Sequence, residues 1–166
     1  FPSTITYAPT ADYFGSDSFE VQVSDGILTD SITVNMTVTA VDDPPVITQG
    51  DGPLTKDVAE DGTATWTASE LNATDPDTAS GSLTWSLVSA ASNGVATVSG
   101  TGASPSTITY VPTADYNGVD SFEVQVSDGV LTDSITVNVT VSAVDDAPVT
   151  ANPIADVSVN EDAPDQ

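Results

Sequence analysis

The segment FEVQVSDGVLTDSITVNVTVSAVDDAPV, residues 122–149, holds two period-two runs around one turn. Phe122, Val124 and Val126 alternate with Glu123 and Gln125, and Ile135, Val137, Val139 and Val141 alternate with Thr136, Asn138 and Thr140. Successive strand side chains point to opposite faces, so each run predicts a strand with one face on a core and one in water. Asp128-Gly129 between them has the chemistry of a turn. The segment closes on Asp145-Asp146 and then Pro148, two like charges placed where a strand ends and the chain stiffens.

The same sequence occurs twice. Pro2–Val46 aligns without a gap on Pro105–Val149, at an offset of 103 residues, and seven of the 45 aligned positions differ. Repetition at a fixed long period is the mark of a tandem array. A complete module is therefore expected over 44–146. The second half of a preceding module is expected over 1–43, and the opening of a following one over 147–166, where Val159-Asn160-Glu161-Asp162 echoes Val58-Ala59-Glu60-Asp61. Phe1 stands in place of an initiator Met, so the stretch reads as cut from a longer chain.

Within the complete module the predicted strands are Asp57–Glu60 with its neighbours, Thr63–Ala68, Leu83–Ser89, Gly94–Ser99, Thr107–Val111, Ser121–Ser127 and Ser134–Ser142. Seven short strands in about 100 residues match an immunoglobulin-like sandwich. The expected class is all-β, with tandem immunoglobulin-like, cadherin-like seven-strand β-sandwiches. One turn of helix is the most that Ser69–Leu71 could form. Trp66, Trp85, Tyr110 and Tyr116 are assigned to the core, with a sugar-binding platform as the competing use of these rings. Trp85 falls on the third strand, where such sandwiches bury a Trp, and Tyr116 lies just ahead of strand six like a tyrosine corner.

Composition narrows the function. The 166 residues include 25 Asp or Glu, one basic residue (Lys56) and no Cys or His, for a formal charge of -24. Such a surface repels nucleic acid and anionic membranes, and it repels itself unless cations condense it. No apolar run approaches the roughly 18 residues of a membrane span. Without Cys or His there is no disulfide framework, no ordinary zinc site and no Ser-His-Asp or Cys-His nucleophile. Oxygen ligands for a hard cation are what remain.

The acidic residues are not scattered evenly. Asp75-Pro76-Asp77 falls in the loop between the second and third strands, Asp128 ends strand six, and Asp42-Asp43 ends the preceding module. In a sandwich these positions share one pole, so five carboxylates are expected to converge on one junction. Two like charges about 4 Å apart cost about 1 kcal/mol in water and several times that near a protein surface. Calcium takes roughly six to eight oxygens in irregular cages and suits a site assembled from separate loops. The spacing matches neither an EF-hand loop nor a Gly-rich nonapeptide repeat. The competing reading is that each Asp simply caps its own turn.

Residues 122–149 resemble the closing strands and linker of cadherin repeats. YVPTADYNGVDSFEVQVSDG, residues 110–129, looks like the bacterial cadherin-like, VCBS-type repeats of large secreted adhesins. The resemblance implies interdomain calcium. Asp75 and Asp77 match the acidic pair, Asp128 the strand-six residue, Glu60 the strand-one Glu, and Asp42, Asp43, Asp145 and Asp146 the linker acids. Thr39 and Ser142 stand where cadherin linkers begin with Asp, Val41 and Val144 replace an Asn, and the acidic triplet before strand six is missing. Asp12 and Asp115, or Asp17 and Asp120, are the candidates to substitute for it.

The function expected from these readings is non-catalytic: a calcium-stiffened extension segment of a large adhesin or fibre on the bacterial cell surface. Its partners are calcium, neighbouring repeats and like chains. Two alternatives stand beside it, a structural subunit of an extracellular filament or surface layer, and an accessory glycan-binding module of a secreted polysaccharide-degrading enzyme. Glycosylation triplets at Asn35, Asn72 and Asn138 are ascribed to chance in a Thr-rich chain.

Overall fold

The computed structural model describes residues 4–148 together with Glu161. The echo at 159–162 and most of the expected third-module opening lie outside the described residues. Eleven strands occur: β1 (Gly15–Ser24), β2 (Thr29–Val38), β3 (Val46–Ile47), β4 (Leu54–Ala59), β5 (Ala64–Thr65), β6 (Ala73–Thr74), β7 (Thr84–Ser89), β8 (Gly94–Thr101), β9 (Thr107–Pro112), β10 (Gly118–Ser127) and β11 (Thr132–Ser142). The only helical element among the described residues is a short 3-10 turn at Ser80–Ser82.

β1 and β2 form an antiparallel hairpin that shares no ladder with any other described strand. The rest pair in the order β4-β11-β10-β7-β8-β9-β5, with β3-β6 as a separate short ladder. β4 runs parallel to β11, with Leu54 opposite Val137. Pairing passes from β7 to β8 through only Thr84–Thr101 and Trp85–Gly100, and Gly100 adopts φ 130 there. That corner folds the ladder into two layers, β4-β11-β10-β7 facing β8-β9-β5. Phe122 on β10 meets Trp66, just past β5, edge to face at 5.8 Å, and stacks on Tyr110 of β9 at 6.1 Å. Both geometries are the ones aromatic rings favour.

The core is what the alternation predicts. Phe122, Val124, Val126, Ile135, Val137, Val139 and Val141 are all buried, together with Trp66, Trp85, Tyr110, Leu71, Leu83 and Ile108. Each such side chain contributes about 2 kcal/mol on burial, which is why period two sets the register. Trp85 also satisfies its indole N–H on the Gly102 carbonyl at 2.9 Å.

All seven predicted strands are present between residues 54 and 142. The first is longer than expected, because its edge is zipped onto β11, and the second is reduced to a two-residue ladder. β3 and β6 carry no periodic signal of their own and exist only by pairing with each other. The Ser69–Leu71 region is a closed turn: Glu70 N–H donates to Thr67 O, while Glu70 Oε2 accepts from both the Thr67 N–H and its hydroxyl. The Glu70 carboxylate reaching back to the Thr67 N–H is one half of a capping box, with no helix to follow.

Tyr116 departs from the tyrosine-corner expectation. Its hydroxyl donates downstream to Val119 O at 2.6 Å, not back up the chain. Asp115 (φ 60) and Gly118 (φ 139) close the loop so tightly that the Tyr116 hydroxyl lies 3.0 Å from where a Cβ on Gly118 would stand. Tyr13 makes the same bond to Ser16 O in the first copy.

Candidate functional site

The predicted site residues divide between two poles of the complete module. At the first pole, β3 begins, β6 ends and the β10–β11 turn closes. Val46 pairs with Thr74, Ser127 with Thr84, and Asp133 Oδ2 accepts the Ile47 N–H at 2.7 Å, which brings these segments to one end. Asp75 and Asp77 follow β6 directly, Asp128 follows β10, and Asp42 and Asp43 enter along the linker. The contact across the junction is explicit: Asp43 N–H donates to Asp77 Oδ2 at 3.2 Å.

Asp75 and Asp128 are built alike. Asp75 Oδ1 accepts the N–H groups of Asp77 and Thr78, and Asp128 Oδ1 accepts those of Val130 and Leu131. The turn-capping reading therefore accounts for one oxygen of each. Oδ2 of each is buried and has no hydrogen-bond partner among the described residues. A buried, unpaired carboxylate oxygen is costly and asks for an explanation such as an ion or water. Asp25, the repeat counterpart of Asp128, caps the same turn but stands in solvent.

The electrostatics at this pole are strained in the same sense. Burial pushes the Asp75 carboxyl up, but the Thr78 N–H, the neighbouring Asp77 carboxyl and the Asp77 N–H outweigh it and hold Asp75 below its usual range. Asp77 is held above its usual range, first by the neighbouring Asp75 carboxyl and further by the charge of Asp42. The two neighbouring carboxyls thus shift in opposite directions, as acids that repel each other's charge do.

The second pole gathers where β4 and β11 end. Glu60, buried to 5 % exposure, accepts the Val144 N–H on Oε1 at 2.6 Å, and its own N–H donates to Ser142 O. Asp61, then burial, then Asp115 and Glu60 hold the Asp146 carboxyl above its usual range, so these four acids share one neighbourhood. Asp145 is exposed beside them. Glu60, Asp145 and Asp146 are therefore separated by the length of the module from Asp75, Asp77 and Asp128. Among the described residues, no three acidic side chains form a ready metal-binding group at either pole.

Asp120, one candidate substitute ligand, is committed elsewhere. Its oxygens accept from Ser92, Asn93 and Ser121 N–H groups and from the Tyr110 hydroxyl. Asp115, at the second pole, keeps its carboxylate free of such bonds among the described residues. Asp61 and Asp133 were not singled out by sequence reading. Asp61 was legible as the neighbour of Glu60, whereas the role of Asp133 depends on a contact 86 residues away.

Two-layer strand order and an inter-layer aromatic core define an immunoglobulin-like sandwich. The family comparison agrees: the bacterial Ig domain matches residues 2–37 and 42–140, and the chain belongs to that family. No curated protein is detectably similar in sequence. Among solved structures, the chain is similar to an endo-fucoidan hydrolase of glycoside hydrolase family 107, at 21% identity and TM-score 0.47 over 87% of this chain and 21% of the other. It is similar to PcdhgB3 EC1-4, at 19% identity and TM-score 0.48 over 81% and 34%. It is also similar to domains 4 and 5 of the S-layer protein SbsC, at 22% identity and TM-score 0.37 over 75% and 58%. The chain spans about a fifth of the length of the endo-fucoidan hydrolases it matches.

Proposed function

We propose that this chain is a non-catalytic, calcium-stiffened extension segment of a large bacterial surface adhesin or extracellular fibre, of the cadherin-like, VCBS type. The observation that carries the reading is the repeat joined to its linker: two copies with seven differences in 45 positions, each ending in Asp-Asp and a proline. Near-identical modules in series supply length and spacing, and proline limits bending between them. The sugar-platform alternative draws no support from the tryptophans, since Trp66 and Trp85 are spent on the core.

Calcium enters this reading through the first pole. Asp75 Oδ2 and Asp128 Oδ2, each buried and unpaired, are the oxygens that would hold a hard cation, with Asp77, Asp42 and Asp43 as further ligands from the loop and the linker. At the second pole Glu60, Asp145 and Asp146 would take the same part towards a following module. A bound ion there would tie consecutive modules together and relieve the repulsion between their ends. Its partners are neighbouring repeats and like chains outside the cell.

The test is calorimetric titration of the chain with calcium, repeated on D75N/D77N. A ligand bound only by the folded state at a hundredfold excess over Kd adds about 2.7 kcal/mol. We expect saturable binding and a raised melting temperature for the parent chain, and loss of one class of sites with an intact sandwich for the variant. Heats indistinguishable from dilution for the parent chain would remove calcium from the account.

A further inference from the structure

The β1–β2 and β10–β11 hairpins are near-identical in sequence, yet their inner faces differ. Val126 and Ile135 are 0% and 3% exposed, whereas their counterparts Val23 and Ile32 are 65% and 66% exposed. One piece of the missing cover is already in place. Tyr7, the counterpart of Tyr110, stacks on Phe19 at 6.4 Å and donates to Asp17 Oδ2 at 2.6 Å. Tyr110 does the same to Phe122 and Asp120, at 6.1 Å and 2.9 Å.

The rest of the cover is absent among the described residues. No ring meets Phe19 as Trp66 meets Phe122. Asp17 accepts from Tyr7 and Ser18, whereas Asp120 accepts in addition from the Ser92 and Asn93 N–H groups. No strand lies along β2 as β4 lies along β11. A groove lined by Ser16, Asp17, Ser18, Asn35, Met36 and Thr37 flanks the hairpin. The corresponding groove beside Asp120 gains a second wall from Thr55, Ser92 and Asn93.

We propose that the β1–β2 hairpin is an acceptor for a half-sandwich with the chemistry of residues 44–103, carried ahead of β1 in the same polypeptide. The required occupant is defined residue by residue. It runs a strand parallel to β2, sets a tryptophan edge-on to Phe19, and turns two backbone N–H groups onto Asp17. Apolar complementarity and hydrogen-bond complementarity thus call for the same partner. A second copy of this chain is the poorer occupant. Its own strands of that kind are committed to β10–β11, and two chains of charge -24 repel. The proposal rests on the repeat and is independent of calcium and of adhesion.

The experiment compares amide hydrogen exchange in the 166-residue chain and in the same chain preceded by a copy of residues 44–103 joined to Phe1. In the parent chain Val21 and Val34 should exchange at least about 100-fold faster than Val124 and Val137, as expected of a locally opening unit. In the extended chain that gap should close to within about tenfold, and V21D/V34D should reopen it while leaving β10–β11 protected. A hairpin that stays fast in the extended chain, while β10–β11 is protected, overturns the proposal. So does a parent chain that sediments as a dimer with its hairpin already protected, which would make a second copy the occupant.

Discussion

The surroundings of each carboxylate decide what an aspartate does in this chain. Asp120 is buried at 8% exposure and spans two elements, tying the Ser92–Asn93 turn to β10 and receiving the Tyr110 hydroxyl. Burial pushes its pKa up, but the N–H groups of Asn93, Ser92 and Ser121 and the Tyr110 hydroxyl outweigh burial and hold it below the usual carboxylate range. Hydrogen bonds to a charged acceptor contribute about 1.5–3 kcal/mol each, and buried donors left unpaired are costly. Asp120→Ala should therefore destabilise the chain by about 3 kcal/mol or more in urea unfolding at neutral pH. A depressed acid contributes stability above its unfolded pKa and loses it as pH falls through the folded one. Asp120→Asn should accordingly flatten part of the acid limb below pH 3.8, and an unchanged acid limb would mean the carboxylate is not charged in the fold.

Strand pairing supplies most of the architecture, and small residues mark where strands and side chains come closest. Gly94 opens β8 opposite the end of β9, and a Cβ there would stand 2.5 Å from the Tyr110 ring. That ring is pinned by Phe122 and Asp120 and cannot retreat without loss. Gly94→Ala should cost about 1–3 kcal/mol, the usual range for overpacking, read as a lowered urea midpoint with unchanged slope. A neutral outcome would show that β8 can shift as a unit. The parallel strand β4 has a different fastening. Lys56 Nζ lies 2.7 Å from Glu70 Oε1 and 5.4 Å from the centre of the Trp66 ring. Lys56 first, then the Thr67 N–H and hydroxyl, lower the Glu70 pKa to about 2. Both partners remain partly in solvent, so Glu70→Gln should cost less than about 1 kcal/mol and matter less than Gly94→Ala.

Across the molecule the governing term is charge at the module ends. Asp77 and Asp146 have raised pKa values because other carboxylates crowd them. A raised acid binds more protons folded than unfolded, so its contribution grows as pH falls through the folded value. Asp75, Asp120, Asp17, Asp25 and Glu70 are depressed and act in the opposite sense below their ordinary values. In the presence of a chelator the melting temperature should therefore rise on mild acidification and then fall steeply below pH 3.8. Calcium at millimolar concentration should raise the neutral-pH melting temperature and abolish the mild-acid gain, because the ion replaces the proton. Melting curves from about pH 2 to pH 8 with and without calcium test both signs. A chelated chain whose stability only declines on acidification would show that the acidic poles are not crowded enough to matter.

Period-two alternation made β10 and β11 legible residue by residue, because burying one face dominates the energy of a strand and leaves its mark at every second position. The repeat fixed a second hairpin of the same kind, and the lone Lys, the missing His and Cys and the acidic linkers narrowed the chemistry to oxygen ligands. Strands β3 and β6 were not legible: two residues carry no period, and their existence depends on each other across the fold. The acids were visible as types but not as sites. Sequence could not separate Asp120, sealed into the core by four donors, from Asp75, left with one buried oxygen unpaired. Nor could it show that the near-identical faces of β1–β2 and β10–β11 would meet opposite surroundings. Burial is a property of what lies opposite, and only the packed chain brings residues 44–112 onto one hairpin and leaves the other uncovered.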